Sequence, residues 1–172
     1  ARREPGTVDA PRVAPRARAA AADALPVVVP VDGGRAAPPP LAIDAPMVER
    51  WLVEFLRDEL GRRGFSKAVV GISGGVDSAV TATLAARALG SENVIGVRLP
   101  YRSSSADSLA HAQLVIDALG IEGRTLDISA AVDGYLFNEP DADAARRGNV
   151  MARVRMIALF DLSARYGALP LG

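Results

Sequence analysis

Two glycines between two serines, with an aspartate close behind, form the segment of this chain best suited to chemistry. The segment consists of Gly71, Ile72, Ser73, Gly74, Gly75, Val76, Asp77 and Ser78. Backbone N–H groups of a glycine-rich turn can bind a phosphate closely because no β-carbon blocks the approach, and the two serine hydroxyls add donors. The pattern indicates an anion-binding loop. It is not the common P-loop, because no lysine follows the glycines.

Asp77 narrows the kind of anion site. A carboxylate beside a phosphate would repel it unless a cation lay between them, and Mg²⁺ is commonly shared between protein carboxylates and substrate phosphates. The simpler alternative is that Asp77 only complements the positive end of a helix dipole and that the glycines form an ordinary turn. The position of the segment between a strand and a helix favours nucleotide binding.

The elements around this loop predict its geometry. A short apolar run at residues 68–70 is typical of a buried strand, and residues 79–86 are typical of a helix. Further strands are predicted at 93–100 and 124–128 and from 168 onward, with helices at 107–119, 130–137 and 149–166. Alternating strands and helices predict an α/β fold, a Rossmann-like doubly wound parallel sheet with ligands at the carboxyl ends of its strands.

A further helix is predicted before the first strand. Asp44 is a suitable N-cap, and Gly61 and Gly64 are suitable terminators. Trp51 lies on an apolar stripe and is interpreted as a core residue rather than as a platform for a base. The other members of the stripe are Val48, Leu52, Phe55, Leu56 and Leu60.

Composition excludes several kinds of function. The chain has 172 residues, no cysteine and a formal net charge of zero. Disulfides, thiolate zinc sites and a cysteine glutaminase nucleophile are therefore excluded within this sequence. A neutral balance argues against nucleic acid as a partner. No apolar run approaches the roughly 18 residues of a transmembrane helix, so no membrane segment is predicted.

Residues 1–43 differ from the rest, since they hold eight of the twelve prolines. We interpret them as a disordered extension. A transit peptide is the alternative, but the acidic residues there argue against it, and an edge strand at 25–31 would contain prolines that cannot donate to a ladder. Residues 44–172 are then expected to form one domain.

Six residues of the loop, Ser-Gly-Gly-Val-Asp-Ser, resemble the pyrophosphatase loop of ligases that cleave ATP between its α and β phosphates. Two further segments narrow the family. Residues 97–105, with the helix that follows, and residues 146–156, which read Arg-Arg-Gly-Asn-Val-Met-Ala-Arg-Val-Arg-Met, are similar to segments of ammonia-dependent NAD synthetases. The resemblance covers residues 48–172 and implies an adenine nucleotide alpha-hydrolase-like fold.

The resemblance implies a reaction and its site. ATP would adenylate the nicotinate carboxylate of deamido-NAD, and ammonia would then displace AMP to give NAD. Residues 71–78 and Arg98 would bind ATP, Asp77 would ligate Mg²⁺ and Arg153 would bind deamido-NAD. Arg155 is two residues further along the helix and would project to nearly the opposite face, so the two arginines cannot both point into one site. The resemblance selects Arg153, and surface ion pairing is the alternative for both arginines. No role is assigned to His111.

The same resemblance implies that the full-length protein is a cytoplasmic homodimer whose pairing surface includes the helix at 149–166. The family continues beyond this point with a second metal ligand, so we expect a C-terminally truncated synthetase that binds ATP weakly and makes little NAD. The alternatives are a non-catalytic ATP-binding fragment and a tRNA-thiolating ligase. Asp141 and Asp143 are expected to solvate a loop. The serines at 103–105 would contact nucleotide or cap the next helix.

Overall fold

The computed structural model describes residues 43–172. The extension predicted at 1–43, apart from its last residue, and the alternative strand at 25–31 lie outside the described residues. The elements are α1 (Ala45–Arg62), β1 (Ala68–Gly71), α2 (Val76–Leu89), β2 (Val94–Arg98), α3 (Ala106–Leu119), β3 (Glu122–Thr125), α4 (Ser129–Leu136), α5 (Ala144–Tyr166) and β4 (Leu169–Leu171), with one 3-10 turn at Ser91–Asn93.

The four strands form one parallel sheet in the order β3-β2-β1-β4. The chain moves outward from β1 to β2 and β3, and then returns through α4 and α5 to the other side of β1. The Rossmann-like doubly wound sheet is therefore confirmed. Because the direction of winding changes at β1, the loop that leaves β1 lies at the point where open α/β sheets bind their ligands.

The two central strands, β1 and β2, are buried on both faces, as strands of a parallel sheet covered by helices are expected to be, whereas the outer strands β3 and β4 are more exposed. Val69 and Val97 pack with α4 and α5 on one face, whereas Val70 and Val94 pack with α2 and α3 on the other. Gly96 lies within β2 and faces the α2 and α3 side of the sheet, where a β-carbon would come within 2.7 Å of the Ile72 side chain and 3.2 Å of Ile116 in α3. The two apolar layers hold β1 rigidly, and with it the start of the loop.

Two predicted boundaries are corrected. β3 covers Glu122–Thr125 rather than 124–128, because its register pairs Ile95 with Glu122 and Arg98 with Thr125. α5 begins at Ala144 rather than at residue 149, which makes it, at 23 residues, longer than the 18-residue α1. Asp143 is the N-cap of α5, since its side chain accepts from the amide of Arg146. It is thus a helix cap rather than a solvated loop residue.

The prediction of Trp51 as a core residue is wrong. Its side chain is 65% exposed and stacks on that of Phe55, with ring centroids 6.0 Å apart. α1 contacts α2 through the adjacent row of side chains, and of that row only Leu60 is fully buried. The apolar surface of α1 is wider than its contact, and one neighbouring helix can bury only part of it. The predicted N-cap Asp44 is confirmed.

Candidate functional site

The loop after β1 is shaped by its two serines. Ser78 Oγ accepts from the amide of Ser73 at 3.2 Å and donates to the carbonyl of Gly75 at 2.9 Å. Ser73 Oγ lies 3.1 Å from Ser78 Oγ and accepts from the amide of Gly75 at 3.3 Å. Both hydroxyls are therefore engaged within the loop. They fix the loop backbone and accept from the amides of Ser73 and Gly75, so the amides that remain for a ligand are those at the start of the following helix.

The loop opens directly into α2, whose N-cap is Gly75 with no side-chain cap. The first N–H groups of a helix have no partner inside it, so the amides that follow Gly75 are available to an anion. Gly74 adopts a left-handed conformation with φ at +85°, which suits glycine. The structure thus has the uncapped, positively polarised helix start that the sequence predicts.

A cavity of about 430 Å³ lies beside the loop, at the carboxyl ends of β1 and β2. Its walls come from the loop, from the segment between β2 and α3, from the first turn of α3 and from α5. The lining residues are Gly71, Ile72, Ser73, Val97, Leu99, Pro100, Ser104, Ser105, Ser108, Leu109, Arg155 and Leu159. The lining is mostly apolar and carries polar side chains from the loop, from the serines before and within α3 and from α5, a combination that suits a base and sugar joined to phosphates.

The serines between β2 and α3 are expected either to cap α3 or to contact a nucleotide, and their positions allow both roles. Ser105 Oγ accepts from the amide of Ser108 at 3.1 Å and caps α3. Ser104 Oγ accepts from the amide of Tyr101 at 3.0 Å. Ser104 and Ser105 also line the cavity. Capping is confirmed for Ser105, and contact with a nucleotide stays a prediction.

The segment that carries these serines is tied to α4. Asp133 accepts from the Tyr101 hydroxyl at 2.9 Å and forms an ion pair with Arg102. The amide of Arg102 donates to Ser129 Oγ at 3.0 Å. Hydrogen bonds from Ser129 lower the pKa of Asp127, mainly through the hydroxyl and then through the amide, and the charge of Arg102 adds to the effect. These contacts hold one wall of the cavity in place.

Asp77 is exposed in the first turn of α2. Within residues 43–172, no three His, Cys, Asp or Glu side chains gather in the way that an all-protein metal site needs. A single carboxylate still fits Mg²⁺ when phosphates supply further oxygens. The donor set therefore fits a metal that binds together with a nucleotide.

The three candidate arginines lie in different places. Arg98 is half-buried at the end of β2, and its Nε is buried without a hydrogen-bond partner among the described residues. Arg153 is exposed on α5 and does not line the cavity beside the loop. Arg155, for which the sequence predicts no contact with a substrate, does line the cavity. Helix periodicity separated the two α5 arginines correctly, but it could not say which face meets the loop.

The structure also bears on His111, to which no role is assigned, and on the expected absence of a membrane segment. His111 is exposed on α3 and lies away from the cavity lining. Among the residues that the structure describes, no helix combines the length and the apolar character that a membrane span requires.

Comparison with known proteins places this geometry in a family. The sequence model of the NAD synthase family matches residues 48–172. The chain is 50% identical over 135 residues to the NH(3)-dependent NAD(+) synthetase of Chlorobaculum parvum, an alignment that covers 78% of this chain and 49% of that protein. It spans about half the length of the curated relatives that it matches.

Solved structures agree. The NH3-dependent NAD synthetase of Campylobacter jejuni, in complex with nitrate, has a TM-score of 0.72 at 30% identity, over 76% of this chain and 57% of that one. The NMN synthetase of Francisella tularensis has a TM-score of 0.71 at 28% identity, over 76% and 55%. The loop, the parallel sheet and the match over residues 48–172 lead to one conclusion: this chain belongs to the NAD synthase family.

Proposed function

We propose that this chain is the ATP-binding part of an ammonia-dependent NAD synthetase. In the proposed reaction the nicotinate carboxylate of deamido-NAD attacks the α-phosphorus of ATP and pyrophosphate leaves. Ammonia then attacks the acyl carbon, AMP leaves, and the amide of NAD is formed. The observation that supports this most is the uncapped start of α2 beside a mostly apolar cavity, inside the region that matches the family.

The loop would act on the triphosphate. Backbone amides after Gly75 would bind phosphate oxygens, and their fixed dipoles would stabilise the charge that develops on pyrophosphate. Asp77 would hold Mg²⁺ together with phosphate oxygens, and the bound ion would neutralise part of the charge on the leaving group. Residues 71–78 and Arg98 are the proposed ATP ligands.

Arg153 is the proposed ligand of deamido-NAD. Its exposure on α5, outside the cavity beside the loop, suits a contact with a second substrate rather than with ATP. We further propose that the synthetase acts in the cytoplasm, uses free ammonia and has no nucleic-acid partner.

α5 also carries the proposed homodimer surface. Met156, Ile157 and Phe160 are 46%, 64% and 60% exposed, respectively, which is unusual for large apolar side chains at adjacent helical positions. Sedimentation equilibrium tests this surface. Phe160→Glu should shift a dimer toward monomer, whereas Leu114→Glu on α3, where the leucine is 64% exposed, should not. The measurement uses a chimera in which residues 48–172 replace the matching part of the Chlorobaculum parvum synthetase, and a monomeric chimera without the substitution would contradict the proposed homodimer.

A first experiment tests ATP binding by the 172-residue chain with isothermal titration calorimetry, in Mg²⁺ or in EDTA. Asp77→Ala should abolish the gain in affinity that Mg²⁺ gives. Asp107→Ala is the matched control, because Asp107 lies in the first turn of the neighbouring helix α3. Equal ATP affinity for wild type and Asp77→Ala in both conditions would contradict the metal role.

A second experiment tests the reaction. We expect little NAD from the 172-residue chain, since it spans about half of its curated relatives. A chimera in which residues 48–172 replace the matching part of the Chlorobaculum parvum synthetase should form NAD from deamido-NAD, ATP and ammonium. Arg153→Ala in the chimera should raise the KM for deamido-NAD more than the KM for ATP. A folded but inactive chimera would contradict the proposed function.

The two experiments also distinguish the proposed function from two alternatives. A non-catalytic ATP-binding fragment would bind ATP, and its chimera would be inactive. The second alternative follows from the similarity in fold to an NMN synthetase, and in it the substrate is the deamidated mononucleotide instead of deamido-NAD. Faster turnover of the mononucleotide by the chimera would favour that activity. The 50% sequence identity to an ammonia-dependent NAD synthetase favours the dinucleotide, deamido-NAD, as the substrate. A tRNA-thiolating ligase is disfavoured by the absence of cysteine and by the neutral charge.

A further inference from the structure

Arg155 lies where a cation would meet the phosphates of a nucleotide in the loop. α5 joins β3 to β4 in a parallel sheet, so it runs opposite to the strands and its N-terminal part lies toward their carboxyl ends. Leu159, one turn further along, packs against the end of β1, since a β-carbon on Gly71 would lie 3.4 Å from it. Helical side chains lean toward the N-terminus of their helix. The guanidinium of Arg155 is therefore directed toward the rim that carries the loop.

One hydrogen bond anchors this side chain. Arg155 Nε donates to the carbonyl of Leu99 at 3.1 Å, in a half-buried position. This contact uses one of the five N–H groups of the guanidinium and leaves both Nη groups for other partners. No ion pair to Arg155 occurs among residues 43–172. The charge is therefore held in place at the cavity without being neutralised by a described carboxylate.

The charges around the cavity indicate that the anchored guanidinium can bind phosphate. Arg155 is the sole charged side chain among the residues that line the cavity in the described part of the chain. The loop contains no lysine, and its nearest charge, Asp77, is negative. Apart from Arg98, which is a proposed ATP ligand but does not line the cavity, only backbone amides and one Mg²⁺ would otherwise face the triphosphate. An arginine presents a planar fork of donors that suits phosphate oxygens.

We propose that Arg155 binds the phosphates of the nucleotide held by the loop of residues 71–78, in the role that a lysine has in P-loops. This inference rests on the proposed ATP binding and adds a residue to it. The competing explanation is structural, namely that Arg155 only ties α5 to the end of β2 through Leu99. The two explanations differ in whether phosphate affinity or fold stability responds to the charge.

The test compares ATP with adenosine as ligands of the 172-residue chain. Arg155→Gln removes the charge and keeps an amide donor for the carbonyl of Leu99, whereas Arg155→Lys keeps a positive charge. Arg165→Gln is the control, because Arg165 lies on the same helix about 15 Å further along and contacts the ring of Tyr166. Calorimetry gives ATP affinity, ligand-observed NMR gives adenosine affinity, and thermal unfolding reports the fold.

We expect Arg155→Gln to lower ATP affinity about tenfold or more, as loss of a charge-assisted hydrogen bond would. Adenosine affinity should change less than about twofold, and Arg155→Lys should recover part of the ATP affinity. Equal ATP affinity for Arg155→Gln and wild type would overturn the inference and leave ATP binding intact. Equal losses for ATP and adenosine, or a loss matched by Arg165→Gln, would also overturn it. A wild type that does not bind ATP would overturn the proposed function instead.

Discussion

The α-carbon of Gly74 packs directly against the backbone carbonyl of Ser108. A β-carbon on Gly74 would lie 2.3 Å from the carbonyl oxygen of Ser108, well inside any allowed contact. The loop after β1 therefore rests directly on the first turn of α3. This relationship gives Gly74 a packing role that the glycine pattern alone does not reveal, and it distinguishes Gly74 from Gly75, whose β-carbon would meet only Ser73 Oγ at 3.4 Å.

Gly74→Ala is expected to lower the free energy of unfolding by roughly 2–4 kcal/mol, because it adds left-handed strain to a backbone clash. Gly75→Ala should change it by less than about 1 kcal/mol, since Gly75 has an ordinary φ of −87°. If phosphate approaches Gly75 closely, Gly75→Ala should nevertheless weaken ATP binding. Urea denaturation and calorimetry on both variants separate the two effects, and a stable Gly74→Ala would contradict the packing role.

Gly96→Ala is expected to destabilise the sheet by roughly 1–3 kcal/mol through overpacking. Its β-carbon would lie 2.7 Å from Ile72 and 3.0 Å from Ile121, in a fully packed layer. Gly134→Ala is the control, because Gly134 lies in α4 with nothing within 4 Å of its β-carbon position. That change should stabilise the protein by roughly 0.5–1 kcal/mol through helix propensity. Thermal unfolding should move the two variants in opposite directions.

Asp133→Ala is expected to cost roughly 1–3 kcal/mol, mainly through the lost acceptor of the Tyr101 hydroxyl. The ion pair with Arg102 adds little, since the Arg102 side chain is 64% exposed. Because the same segment forms a wall of the cavity, ATP affinity should fall as well. A double-mutant cycle with Tyr101→Phe measures the coupling. Strict additivity of the two substitutions would show that the Tyr101–Asp133 bond does not contribute.

The Asp127 carboxylate should give the stability a defined pH dependence. Its pKa is lowered below the ordinary value of 3.8, chiefly by hydrogen bonds from Ser129. A lowered folded-state pKa contributes stability that is present above 3.8 and is lost as pH falls through the lower value. The difference in unfolding free energy between wild type and Asp127→Asn should thus be positive at pH 7 and shrink in strong acid. Asp141→Asn, at an exposed loop position, serves as the control, and a difference that grows on acidification would contradict the assignment.

The sequence by itself determined the loop, the order of the elements and the family. Glycines, serines and an aspartate between an apolar strand and a helix are local signals, and their chemistry does not depend on what packs around them. The caps Asp44 and Ser105 were predictable for the same reason, because a cap bonds to the backbone amide three residues later. Alternating strands and helices likewise predicted the parallel sheet.

Only the tertiary structure decided which faces are covered. Periodicity identifies the apolar row of α1 but not the part of that row that its neighbour α2 covers, so it predicts a buried Trp51 where the structure has an exposed one. The same limit applies to α5, where spacing separates Arg153 from Arg155 and packing of Leu159 against Gly71 selects Arg155 for the cavity. A helix pattern defines directions relative to its own axis, and the rotation of that axis against the sheet is set by contacts between residues far apart in the chain.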